Sequence, residues 1–311
     1  FSTVFKGPLN NFRLDDLVFH GMDRSTIIGD LIVQNIFAKE DEVFSVQGDL
    51  QNLSTNYYDL VNLLPNLLRG KLPEEIREFG NVRFEGYAVV TNSSVDADVT
   101  IQSQLGDAEV TMMIGNFDEA EEVTYLGDIA ATNFNLGKLL DKKYLGKMAF
   151  NLRVDGKGFT AESLDTEIRG DISRFGLNGY NYKNLKVIGT LKAPIFNGSL
   201  ISRDPNLEME FNGLVNFSDD INEYDFEASV GYADLAALNF ITRDSVSVFK
   251  GDIIMNMKGT NLNNAAGNLL LLNTSYANLH DRYSFDDLRV TSSFNGPVRR
   301  IEVNSPDVIS G

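Results

Sequence analysis

Between Gly146 and Gly158 the chain alternates strictly. Met148, Phe150, Leu152 and Val154 fall in one phase, and Ala149, Asn151, Arg153 and Asp155 in the other. Successive side chains of a β-strand point to opposite faces, so this segment must bury one face and wet the other. The residues just before it, Asn133 to Leu140, are too few and too rich in Asn and Gly to hold an independent helix. Phe134, Leu136, Leu139 and Leu140 can still form one apolar turn. A short plug followed by a half-wet strand is therefore the unit from which the fold must be assembled.

The same texture runs along the whole chain. Leu14–Phe19, Ile27–Asn35 and Val43–Leu50 read as strands, and Leu60–Leu68 as a helix interrupted at Pro65. Pro73–Arg77 supplies a further helical turn. Val82, Phe84, Gly86, Ala88 and Val90 alternate with polar neighbours, then Asn92-Ser93-Ser94 turns the chain into Val95, Ala97, Val99 and Ile101, an antiparallel hairpin. Leu207, Met209 and Phe211 alternate with Glu208, Glu210 and Asn212, and Phe226, Ala228 and Val230 follow. Roughly two dozen short strands result, the spacing of an all-β body. The plug-and-strand unit is echoed by Phe226–Leu238 with Phe249–Gly259, and by Val46–Leu50 and Tyr58–Leu64 with Asn81–Val90. Such echoes suit a structure in which each unit touches only its neighbours. No Pro-, Gly- or Ser-rich linker divides the chain, so residues 1–311 are expected to form a single elongated, repeat-like β body.

Charge and chemistry exclude several functions. A net charge of −17 argues against nucleic acid and against simple adsorption to an anionic membrane. Without Cys there is no disulfide framework and no thiolate metal site. No apolar run approaches the ~18–20 residues of a membrane span. The first residue is not Met and Phe1–Phe5 already reads as strand, so the chain is expected to be a fragment of something longer. His20 and His280 lie in no metal or nucleophile motif. Asp15-Asp16, Asp219-Asp220 and Asp286-Asp287 are adjacent carboxylates that would face opposite ways and mark solvated strand ends. The acidic run Asp118–Glu122 lacks the ligand spacing and central Gly of a calcium loop, and Gly156-Lys157-Gly158 is no phosphate-binding pattern. The expectation is a protein that is not an enzyme and that carries no cofactor and no metal.

Asn133-Phe134-Asn135-Leu136-Gly137-Lys138-Leu139-Leu140, the recurring strand-plus-Gly units and the closing Ile301-Glu302-Val303-Asn304-Ser305-Pro306-Asp307 resemble the TamB branch of the AsmA-like superfamily, in versions from Bacteroidetes-type bacteria. The resemblance implies a mainly β fold: an elongated, curved, mostly antiparallel β-sheet trough (β-taco-like) with a few short amphipathic helices. It implies a periplasmic body, an inner-membrane anchor upstream and an outer-membrane-proximal region downstream. It further implies phospholipid movement between the inner and outer membranes, and a link to outer-membrane protein assembly through an Omp85-type barrel partner.

Elementary energetics agree with an apolar trough. Exposing acyl chains to water costs ~0.8 kcal/mol per CH₂, on the order of 12 kcal/mol for sixteen carbons. Strands with one apolar face, stacked ~4.8 Å apart, supply a strip that removes this cost. The expected lining is Phe84, Val99, Ile101, Met148, Phe150, Leu152, Leu207, Met209, Phe211, Phe226 and Val290, with phospholipid acyl chains as the ligand. Alternation demands a buried face without saying what buries it, so a dry β-sandwich competes. The competing function is a scaffold that offers sheet edges to nascent outer-membrane strands.

Overall fold

The computed structural model describes residues 1–22, 24–38, 42–63, 74–116, 122–158, 163–192, 194–216, 222–260 and 263–306. The fold is mainly β and antiparallel, as the alternation requires, with eighteen strands among the described residues. The chain falls into two compact units, Phe1–Thr166 and Glu167–Gly311.

The first unit is a meander in which every strand pairs antiparallel with the next. Its strands are β1 (Ser2–Lys6), β2 (Asn11–Gly21), β3 (Ser25–Gln34), β4 (Ser45–Asn56), β5 (Asn81–Thr91), β6 (Ser94–Ser103), β7 (Gly106–Gly115), β8 (Thr124–Asn135) and β9 (Leu145–Lys157). The second unit repeats the plan with β10 (Asp165–Leu177), which begins at the boundary, β11 (Tyr180–Lys192), β12 (Ile195–Asp204), β13 (Leu207–Asn216), β14 (Asn222–Asp234), β15 (Ser247–Gly259), β16 (Ala266–Asn278), β17 (Arg282–Asn295) and β18 (Val298–Asn304).

Eighteen strands replace the two dozen expected, because breaks in the alternation are bulges and not ends. Leu269–Leu272 is only the centre of β16, and Leu288–Phe294 is the second half of β17. The extra residues sit where register shifts: Asp16 in β2, Asn133 in β8 and Asn273 in β16, with φ of 49°, 56° and 48°. Asp and Asn are the side chains that tolerate this left-handed region, so a bulge there lets the strand continue with its apolar phase restored.

Three strands end in a capped plug. Asn56, Asn135 and Asp234 are the last residues of β4, β8 and β14. Asn56 accepts the amide of Asp59 at 3.0 Å, Asn135 that of Lys138 at 3.1 Å, and Asp234 that of Ala237 at 3.1 Å. Each carboxylate or amide oxygen thus satisfies the donor three residues on, which is N-cap geometry. The caps start α1 (Tyr57–Leu63), α2 (Leu136–Leu139) and a single turn closed by the Leu238 amide on the Asp234 carbonyl at 2.9 Å. A 3₁₀ helix, Glu74–Phe79, stands near the expected Pro73–Arg77 turn; Leu64–Leu68 of the expected helix lies outside the described residues.

The driest packing collects at these plugs. In the second unit Leu238 is 1% exposed and packs with Tyr182, Leu185, Val230 and Ala233. Strands β11 and β14 are three positions apart, roughly 14 Å in a flat sheet. Their sharing one cluster requires the sheet to curl toward the plug. In the first unit Leu105, also 1% exposed, sits in the β6–β7 turn and accepts the Asn135 amide on its carbonyl at 2.6 Å.

Candidate functional site

Register decides which residues share a face. Directly opposed residues of an antiparallel pair point the same way, so one row can be followed across many strands. In the first unit Phe84 opposes Ile101, which opposes Ala108, which opposes Ala131, which opposes Phe150. The next row runs Gly86, Val99, Val110, Ile129, Leu152. The bulge at Asn133 brings Met148 opposite Phe134 and keeps both in the same phase. All six expected lining residues of this unit therefore stand on one face.

The second unit behaves alike. Leu207 opposes Ala233, Met209 opposes Val230, and Phe211 opposes Ala228. Phe226 opposes Met255, which opposes Leu269, which opposes Val290. All five expected lining residues of this unit share its apolar face. The opposite faces carry rows such as Asp30, Asp49, Tyr87, Asp98, Thr111, Asp128 and Arg153, which keep that side wet.

Burial separates these faces from an ordinary core. Every one of the eleven lining residues is half-buried, neither sealed nor free. A close-packed sandwich interior leaves its large side chains with almost no accessible surface. Here the sealed side chains of the apolar faces are chiefly short, such as Ala131, Val187, Ala228 and Val230. Leu17, Leu50 and Tyr125 are sealed as well, but several large ones form loose aromatic runs: Phe79, Phe134 and Phe150 with successive ring centroids 6.2 Å apart, and Phe196, Phe211 and Phe226 at 6.4 and 5.0 Å. A hollow of about 490 Å³ lies on the opposite, outer face, lined chiefly by Ser199, Glu210, Asn212, Glu227, Ser229 and Asp252, and is no part of the apolar furrow.

One element escaped the sequence reading. Gly189, Gly198 and Gly213 oppose one another in three successive strands, on the apolar phase, and lead into Phe226. A Cβ added to Gly198 would run into the Ile188 carbonyl oxygen and the Gly189 Cα, so the backbones meet here as closely as glycine allows. The ring of Phe196 lies over Gly189 and the Phe226 Cα faces Gly213, the way aromatics cover glycine in bent sheets. Three glycines at one phase of successive strands were the available signal.

The titratable groups of the described residues are spread over several strands. Among the described residues no three His, Cys, Asp or Glu are grouped to hold a metal ion, and no helix is long and apolar enough to cross a membrane. The paired carboxylates correct the sequence expectation. Asp15-Asp16 lies in the middle of β2, at its bulge, and Asp286-Asp287 in the middle of β17, because the strands run through them. Asp219-Asp220 and most of Asp118–Glu122 lie outside the described residues. Lys6 and Arg13 both bind Asp15 and hold its carboxyl below the usual carboxylate range. His20 is exposed and shares a 3.0 Å hydrogen bond with Thr26. Burial beside the plug pushes the Tyr182 hydroxyl up to about 12, with the nearby Tyr180 and Asp204 adding to it.

Comparison with known protein families, with curated proteins and with solved structures finds no match for the chain.

Proposed function

We propose that the apolar faces are furrows for phospholipid acyl chains, and that the protein is a non-enzymatic, periplasmic part of a bridge-like lipid conduit between inner and outer membranes. The observation that carries this reading is the half-buried state of eleven apolar residues on continuous one-sided rows. Water bordering such a face costs ~25 cal/mol per Å² of apolar surface, and a mobile acyl chain removes that cost without specific contacts. The mechanism is passive: tails slide across successive strands over Phe, Met, Leu and Val while headgroups stay in water. The inner-membrane anchor and the Omp85-type partner belong to the proposal through the resemblance to the TamB branch.

The test is mass spectrometry of lipids copurifying with the chain without detergent, for the natural sequence and for Phe150→Asp and Met209→Arg. Both positions are half-buried. The expected outcome is bound phospholipid in the natural chain and at least a tenfold loss in the variants, with their circular dichroism unchanged. Photocrosslinkers at the same positions should yield lipid adducts. Adducts to unfolded barrel proteins instead would select the scaffold reading and end this one.

A further inference from the structure

The chain repels anionic surfaces as a whole, yet one knuckle of it does not. Residues 138–147 hold four lysines, Lys138, Lys142, Lys143 and Lys147, against the single acid Asp141, in a protein of net charge −17. All four are exposed, and none forms an ion pair with a described residue. Two apolar side chains stand out among them, Leu140 at 49% exposed and Tyr144 at 54%.

The knuckle is held in shape. The amide of Lys142 returns to the Gly137 carbonyl at 2.9 Å, and that of Leu140 to the Leu136 carbonyl at 3.0 Å. Gly137 is buried, and a Cβ there would strike the Leu145 carbonyl, so the loop folds flat against α2. Asp141 takes a φ of 49° to make the reversal. The result is a hydrogen-bonded loop that exposes one Leu, one Tyr and four lysines within ten residues.

We infer that this knuckle docks the first unit onto an anionic phospholipid surface, with Leu140 and Tyr144 entering the headgroup zone and the lysines meeting lipid phosphates. Tyr is the residue type that settles at a membrane interface, and lysine stems lie along apolar surface while their charges reach water. A protein partner would need on the order of 800 Å² from each side, far more than two protruding side chains offer. An interfacial anchor needs only a few such groups plus local positive charge. Each lysine near an anionic bilayer is worth about fivefold in affinity, and screening beyond ~8 Å at physiological salt mutes the acidic remainder of the chain.

The test is cosedimentation with vesicles of phosphatidylcholine alone and with 30% phosphatidylglycerol. Binding is expected only to the anionic vesicles, falling about 25-fold in Lys142→Gln/Lys143→Gln and falling further with salt. The control Lys186→Gln/Lys258→Gln, which removes two lysines already paired with Asp171 and Glu223, should bind as the natural chain does. Because the chain has no Trp, Tyr144→Trp supplies a unique reporter whose emission should shift to the blue on anionic vesicles. Equal loss in the control, or an unshifted reporter, would overturn the assignment. So would retention on polyglutamate beads without vesicle binding, which would point to an acidic protein. The inference does not depend on the furrows carrying lipid, and it survives if no lipid copurifies.

Discussion

The plug of the second unit and the broad apolar face beside it are built from the same residue types, yet they are different environments. Leu238 is sealed among Tyr182, Leu185, Val230 and Ala233, whereas Phe211, in a neighbouring part of the same unit, is half-buried. The plug closes because a capped turn folds back over a curling sheet and fills its own hollow. The face is less completely covered, because each strand brings apolar side chains to one side and the described residues beside it supply no such plug. Hydrophobicity alone therefore does not make a core; a core needs a second surface within reach.

That contrast predicts the largest effect at the plug. Leu238→Ala should destabilise the second unit by about 2–5 kcal/mol, while Phe211→Ala should cost about 1–2, because Phe211 is only partly buried and its removal leaves no sealed cavity. Urea unfolding of both variants checks this, and equal losses would mean that the face is sealed in solution. Gly198→Val should come next, at about 1–3 kcal/mol, since its side chain must push two strands apart at the glycine seam. In the first unit Asn135→Ala removes the cap of α2 and should lower stability by about 1 kcal/mol, visible in the same experiment as an earlier transition of that unit.

A further effect is one of pH. The Tyr182 hydroxyl is pushed up to about 12 in the folded protein against an ordinary value of 10. Below pH 10 it is protonated in both states and its full contribution is present. As pH rises from 10 to 12 the unfolded chain loses this proton first, so stability falls across that window. Thermal unfolding at pH 9 and 11.5 should show the decline in the natural protein and a shallower one in Tyr182→Phe. Identical declines would remove Tyr182 from the explanation.

Much of this architecture is legible in the chain. Strict alternation at Met148–Val154 assigned the strand, its wet face and its dry face, and the echoes at Tyr58 and Leu238 located plugs whose caps are Asn56 and Asp234. That the eleven expected positions share a face within each unit was legible because period two admits only one phase for them. The count of strands was less legible, since a bulged Asn or Asp looks locally like a turn. Only pairing with the next strand shows that Asn133 and Asn273 interrupt the phase without ending the strand.

What the amino-acid order determined by itself is therefore local: which residues face together, where the chain turns, and which polar side chain caps each plug. These follow from backbone stereochemistry and from hydrogen bonds spanning a few residues. What only the tertiary structure decided is how far each apolar face is covered. Coverage depends on how the sheet curls, on the meeting of Gly189, Gly198 and Gly213 and on the reach of Leu238 to Tyr182, contacts between residues on different strands. Alternation is a property of neighbours along a strand, and burial is a property of whatever the completed sheet brings opposite them.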